Sequence, residues 1–497
     1  MSLSELSGGH MAGHTGPGHG FWARRGGFWS EAGEQDRWRR RMYVAAHLVV
    51  SASVVALTAT GFTVSCVGST SRSVSMSRSP LNEPPSTAAV AAEIDVEGFG
   101  TWSGLRLGDL DGDGTLDFLL AQNRGQAITC LTALNLSGRR LWQVGNPGIE
   151  NYHTSYDLPI QLFDIDQDGA DEVICIVDRQ VMILDGRSGR MQRTSPLPSV
   201  GATDSLSILN VDGGPWPGAI LVKNRYSQVW VLGRDLGAVW THAGRVGHFP
   251  WPVDLDHDGR DELMCGYTLL DDDGTELWHA DLPGHADAVA VGDVDGRAAN
   301  GSEIAIACCN GGRFVLINRV GKVLWSRECE LAQHIVVGNF RADLGGLEVC
   351  GVDRGPDRSD QGIDALMLYS STGELLWRET RSDQGNNRWL TIVSTVDSWD
   401  EGPEARILAY RRGGSMPPRL YNGFGRAMAV LPWPSPERQH FAQHVDVMGD
   451  GREEIIAWDE RQIAVFKNSR SLSAPLRRRP AWPDPRLYNY SHYIGMS

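Results

Sequence analysis

Residues Asp109-Leu110-Asp111-Gly112-Asp113-Gly114-Thr115-Leu116-Asp117 run directly into the apolar segment Phe118-Leu119-Leu120. The stretch offers carboxylates at positions one, three, five and nine, a glycine at six for the sharp turn, and a backbone carbonyl at seven. Such a set makes the oxygen-rich shell that a hard divalent cation takes. The spacing returns in Asp164, Asp166, Asp168, Gly169, Ala170 and Glu172, and again in Asp254, Asp256, Asp258, Gly259, Arg260 and Glu262. An Asp/Gly turn leading into a strand needs no metal, yet three matched copies point to cation loops rather than to plain turns. Ca²⁺ is the expected ligand, with Thr115, Ala170 and Arg260 contributing through their carbonyls.

Outward from these loops, a unit recurs: apolar strand, Asp-rich turn, second apolar strand, then a Gly-containing hairpin that ends in Leu-Trp or Val-Trp. Tryptophans 142, 240, 278, 325 and 377 occupy equivalent hairpin positions, which predicts packing between neighbouring units rather than ligand stacking. Other copies are worn. Asp293, Asp295 and Glu303 bracket an insertion with Asn300-Gly301, and Met448 interrupts Asp446, Asp450 and Glu454, so weak cation binding or none is expected of both. Arg341 stands among Asn339, Asp343 and Glu348, where its guanidinium would replace the ion as counter-charge. Units starting near Ser205 and Leu390 keep the strands and only fragments of the loop. The starts count to about eight units at a period of roughly 45 residues, which predicts an all-β propeller of four-stranded blades with calcium-binding loops. Seven blades is the alternative count.

The net charge of −15 disfavours a nucleic-acid partner, because phosphate binding relies on clustered Lys and Arg. Cysteines 175, 265 and 350 fall inside apolar runs and read as buried packing residues, while adjacent Cys308 and Cys309 read either as a vicinal disulfide or as one buried and one exposed thiol. Residues 1–41 are expected to form a disordered cytoplasmic tail, since their Gly- and His-rich composition offers little to bury. Residues 42–68 follow a basic flank, Arg37 to Arg41, and contain the uncharged stretch Tyr43 to Val67, long enough for a membrane anchor or signal segment with the chain exiting outward. Residues 69–92 read as a flexible linker and 93–497 as the propeller, displayed extracytoplasmically, in the periplasm or at the cell surface.

A propeller lines its channel with the first strand of each blade, so residues entering that strand face the mouth opposite the cation loops. Six positions before the loop, successive units carry Ser103, Leu158, Asp204, His248, Asp287, Gln333 and His440. With His285, His334 and His444 these predict a ring of imidazoles and carboxylates, which either carries chemistry or merely hydrates a narrow channel. His285, His334, His248 and His440 are the catalytic candidates. Asp287, Gln333, Lys223, Arg225 and Tyr226 are the substrate-binding candidates, the last three forming a cationic and aromatic group suited to an acidic sugar. The C-terminal Tyr488 to Tyr493 segment reads as the strand that closes the ring.

The Asp-x-Asp-x-Asp-Gly units resemble integrin-type FG-GAP and related calcium-loop repeats over most of residues 102–466. More narrowly, Asp271 to Trp278, Gly284-His285-Ala286-Asp287-Ala288, Gly292 to Asp295 and Gly346 to Val349 look like the rhamnogalacturonan lyases with eight-bladed, calcium-rich propellers. That resemblance implies β-elimination on a uronic-acid polysaccharide, with a cation or Arg neutralising the carboxylate and a base taking the neighbouring proton. It also implies that His285 contacts cation or substrate. Ala288-Val289-Ala290 lacks the second His that often follows in those enzymes, so a non-catalytic module binding carbohydrate or a surface protein is the alternative.

Overall fold

In the computed structural model, the described residues are 88–471 apart from 126, 149–157, 355–364, 381–390 and 412–415. The short apolar runs pair into eight separate four-stranded antiparallel sheets, each in meander order. Seven blades take consecutive strands, over residues 105–145, 160–196, 206–243, 251–279, 285–328, 332–380 and 391–430. The eighth combines three strands within 441–468 with Ala88–Asp95, which pairs along Gln462–Asn468 as its outermost strand. This all-β, eight-bladed arrangement excludes the seven-bladed alternative.

Strands this short cannot build independent cores, so burial happens between blades. Eight apolar clusters fill the interfaces, one per pair of adjacent blades. The cluster joining the first and last blades mixes Leu105, Leu107 and Phe118 of blade 1 with Phe441, Val445 and Trp458 of blade 8. Closure among the described residues therefore belongs to Ala88–Asp95. Residues 88–92, expected as the end of a linker, are part of this strand instead, and the expected closing segment 488–493 lies outside the described residues. The physical reason is pairing: a sequence rich in Ala supplies backbone donors and acceptors to an open edge as well as any other.

The hairpin tryptophans fasten each blade to the next. The indole Nε1 atoms of Trp142, Trp240, Trp278, Trp325 and Trp377 donate to the carbonyls of Gly186, Asp272, Arg319, Ser371 and Gly423, at 2.6, 2.7, 2.8, 3.0 and 2.8 Å. Their rings lie against Gly189, Gly274, Gly321, Gly373 and Gly425, all in the left-handed region with φ between 67° and 83°. A Cβ there would meet the ring as well as strain the backbone, so glycine and indole are selected as a pair.

The expected tail, the anchor and residues 69–87 lie outside the described residues. Among the described residues no helix is long and apolar enough to cross a membrane. Cys308 and Cys309 are both buried free thiols, which replaces both sequence readings. They share a strand (Glu303–Cys309) buried on both faces, so neither alternate side chain reaches water.

Candidate functional site

Each loop sits where the innermost strand hands over to the second. In the three complete loops the first carboxylate accepts the Gly N–H at position six, Gly114 to Asp109 at 2.8 Å, Gly169 to Asp164 at 3.1 Å and Gly259 to Asp254 at 3.1 Å. The ninth residue caps the turn by accepting the N–H of position two, Leu110 to Asp117, Ile165 to Glu172 and Leu255 to Glu262. One oxygen each from positions one, three and nine then converge within 4.8 Å, in Asp109/Asp111/Asp117, Asp164/Asp166/Glu172 and Asp254/Asp256/Glu262. Asp293, Asp295 and Glu303 converge equally, because a short 3-10 turn at Ala298–Asn300 absorbs the insertion.

Chemically these sets fit a hard divalent cation. Asp111 Oδ1, Asp254 Oδ1 and Asp293 Oδ1 are buried without a hydrogen-bond partner, an unusual state for a carboxylate. Burial, then the neighbouring Asp111 charge, pushes Asp117 up to about 7. Burial and the Asp166 charge push Glu172 up to about 8, and burial lifts Glu262 to about 7. Position five does not join the converging oxygens. Asp113 accepts the Thr115 hydroxyl and N–H, Asp168 pairs with Arg187 at 2.6 Å, and Asp258 accepts the Arg260 N–H at 2.8 Å. The side chain of Arg260 turns away to Asp272, at 2.7 Å. Arg341 pairs with Asp343 and lies 4.0 Å from the Phe424 ring centre, and Glu348 Oε1 stays buried without a partner. The guanidinium thus stands as counter-charge in its loop, paired directly with Asp343 and opposing by its charge the rise that burial gives Glu348.

The other mouth lies at the opposite end of the same strands. In His285–Gly292 the histidine begins the strand and the loop follows its last residue, about 20 Å away at normal strand rise. Bulges fall between Ala286 and Ala288 and between Ala332 and His334, so Asp287 and Gln333 are the extra residues of adjacent blades. A bulge re-aims a side chain. Here both turn toward one point, where Gln333 Nε2 donates to Asp287 Oδ2. His285 Nε2 and His248 Nε2 approach Asp287 Oδ1 at 2.8 and 3.2 Å. Burial alone would raise the Asp287 carboxyl, but hydrogen bonds from the two histidines, with their charge, hold it below the ordinary carboxylate range.

Around this centre Tyr226 packs edge-on against His248 and His285, with ring centres 5.1 and 5.5 Å apart. The Arg225 guanidinium lies 5.3 Å from the Tyr226 ring centre. His285 is a quarter exposed and Tyr226 is exposed, while His248 and Asp287 are buried. His248, His285 and Asp287 offer ligand atoms within 4.8 Å of one another, so they can hold a divalent cation. Alternatively, Asp287 fixes the imidazole of His285 as a carboxylate orients a general base.

The expected ring is therefore a sector spanning blades 3 to 6. His440 does not join it, being buried against Tyr410 and Trp433 with Nδ1 3.0 Å from the Arg438 carbonyl. His444 pairs with Glu453 at 2.9 Å. His334 stays beneath the surface, and burial pulls it down to about 4. Lys223 is fully buried against Asp204, so it cannot touch substrate as expected. Position counting cannot separate inward from outward residues once bulges and blade interfaces intervene. It also missed Cys309, whose sulfur is 3.2 Å from Gln333 Nε2, and Arg354, whose Nη1 is 3.4 Å from Gln333 Oε1. The strand pairing of His285 with Cys309 was the signal for the first.

A family model described as "Rhamnogalacturonan lyase family 11, C-terminal domain" matches residues 221–313, the segment that carries Arg225, Tyr226, His248, His285 and Asp287. The chain is 38% identical over 73 residues to the rhamnogalacturonan exolyase YesX of Bacillus subtilis (strain 168), covering 15% of this chain and 12% of that protein. It is 26% identical over 243 residues to the rhamnogalacturonan endolyase YesW of the same organism, covering 47% and 34% respectively. The matched stretches thus span about a third or less of those curated relatives. The crystal structure of exotype rhamnogalacturonan lyase YesX superposes with a TM-score of 0.59 at 17% identity, over 84% of this chain and 82% of that one, a likeness of fold. The resemblance to rhamnogalacturonan lyases that the motifs around His285 carried is borne out.

Proposed function

We propose that the mouth of blades 3 to 6 receives an anionic polysaccharide of the rhamnogalacturonan kind and cleaves it by β-elimination. The observation that carries this reading is the convergence of His285 and His248 on Asp287, with Tyr226 packed against both histidines and Arg225 against Tyr226, inside the segment that matches the lyase family model. Arg225 meets the uronate carboxylate, Tyr226 offers its ring to the sugar, and His285 is the proton acceptor, oriented by Asp287. His248, His285 and Asp287 are also the residues that would hold a cation here, whose chemistry is neutralisation of the carboxylate that makes its α-proton acidic.

In the same reading the loops of blades 1, 2 and 4 hold Ca²⁺ as scaffold, and the fourth converging set at Asp293, Asp295 and Glu303 does the same. The uncharged segment at 43–67 anchors the propeller outside a membrane.

The test is incubation of the full chain with rhamnogalacturonan and calcium, following absorbance of the unsaturated product, alongside His285→Ala. Product from the parent and none from the variant supports the reading. Absence of product from the parent on any anionic polysaccharide sinks it. A second reading, a non-catalytic glycan-binding module, is favoured by the burial of His248, His334 and His440, which leaves His285 the one partly exposed imidazole among the four candidates. Binding without product selects it.

A further inference from the structure

Lys223 ends the strand Ala219–Lys223 with its side chain wholly buried, although nothing in the chemistry above requires a second cation beside Arg225. Its Nζ lies 2.6 Å from Asp204 Oδ2 and donates to the Arg225 carbonyl at 3.0 Å. Asp204 is also buried, and its other oxygen is 3.4 Å from Arg225 Nη1. One buried carboxylate thus faces two cations on unequal terms. The ammonium holds it at close range from the interior, whereas the guanidinium touches it at the limit of a hydrogen bond and reaches toward Tyr226 and His248.

Burial makes this inequality consequential. A carboxylate withdrawn from water is strongly unfavourable unless a cation and hydrogen bonds compensate it, and losing one partner leaves the charge to draw in any other nearby. Without the ammonium, the nearest cation to Asp204 would be Arg225, already within 3.4 Å. A guanidinium pulled into a bidentate pair with Asp204 would leave the rim.

We infer that Lys223 is a positioning residue: by neutralising Asp204 it keeps the Arg225 guanidinium at the rim beside Tyr226, where it meets the carboxylate of an acidic sugar. Its bond to the Arg225 carbonyl fixes the same segment from the main-chain side. The inference rests on the anionic-glycan reading of the mouth and adds the device that sets preference for a charged over a neutral sugar.

Isothermal titration of the full chain with rhamnogalacturonan oligosaccharides, and with the same oligosaccharides after carboxyl reduction, tests it. Lys223→Met is expected to weaken binding of the carboxylated ligand by about tenfold or more, as for loss of a charge-assisted contact, and to leave the reduced ligand unchanged. The pair Lys223→Met with Asp204→Leu removes both buried charges and is expected to restore binding of the carboxylated ligand. Asp204→Asn removes the buried negative charge that would draw Arg225 inward, so it is expected to retain that binding and keeps the test decisive if the lysine variant fails to fold. Equal losses for both ligands, failure of the paired variant to rescue, or a carboxylate-selective loss in Asp204→Asn would each overturn the positioning role. Absence of binding by the parent chain instead overturns the reading of the mouth, and the inference with it.

Discussion

Asp171, in the loop of blade 2, grips Asp109, the first carboxylate of the loop in blade 1. Its Oδ2 accepts the Asp109 N–H at 2.8 Å while its own N–H donates to the Asp109 carbonyl at 2.8 Å. The two loops also abut, because Gly112 lies against the Gly169 carbonyl and the Ala170 methyl. Asp171 neighbours Glu172, one of the converging carboxylates of its own loop, so ordering either loop orders the other. Calcium titration followed by calorimetry is therefore expected to show positive coupling between these two loops, and Asp171→Ala to abolish it. The loop of blade 4 serves as internal control, because its equivalent Asp261 grips Asn210, at 2.7 Å, in a blade without a complete loop. Coupling that survives the Asp171 change would count against the clasp.

Cation binding at the second loop should be visible in fluorescence. Trp216 Nε1 donates to the Asp164 carbonyl at 2.6 Å and its ring packs on Phe163, with centres 5.5 Å apart. Emission is expected to shift on adding calcium to chelator-treated protein, and Trp216→Phe to remove most of that shift. Melting temperature should rise in parallel, since a ligand bound only by the folded state stabilises by mass action. A melting curve indifferent to both calcium and chelator would refute the cation assignment of the loops.

Trp325→Ala should be among the most damaging single changes away from the mouth. The indole is 7% exposed, donates to the Ser371 carbonyl at 3.0 Å and covers Gly373 of the next blade. Truncating such a residue costs about 3–5 kcal/mol. Denaturant titration with the slope held in common checks the figure, and a loss under about 1 kcal/mol would show that the interface does not depend on it.

Acid sensitivity has a defined sign at His440. Burial, opposed weakly by the Arg438 carbonyl, pulls its imidazole from 6.5 down to about 4. The folded value lies below the unfolded one, so the unfolded chain takes up the proton first. Stability is complete above about 6.5 and falls as pH drops toward 4. One such group contributes up to about 3 kcal/mol across the window. With calcium saturating, His440→Phe is expected to flatten the acid limb relative to the parent between these values. Parallel curves would place the imidazole's titration elsewhere.

The propeller was legible because its signals are local. The nine-residue loop beginning at Asp109, the apolar strand behind it and the hairpin Trp are each set by neighbours in the chain, and repetition multiplied a weak signal into an eight-bladed reading. The carboxylates of positions one, three and nine were found for the same reason, since one tight turn brings them together. Even the His285 motif was visible, because four of its five residues lie on one strand.

What the sequence could not decide was which side chains from different blades meet. His248 reaches Asp287 from the preceding blade, Gln333 reaches it from the following one, and both contacts depend on where bulges fall in the innermost strands. A bulge inverts the facing of one residue without leaving a mark in the hydrophobic pattern. Likewise, Lys223 and His440 carry the residue types of a site yet are withdrawn from it by interblade packing, and the ring closes through Ala88–Asp95 because the open edge of the last blade required a partner strand. Local chemistry wrote the blades and their Asp-rich loops, while the tertiary packing of blade on blade chose the sector where the side chains of the mouth converge.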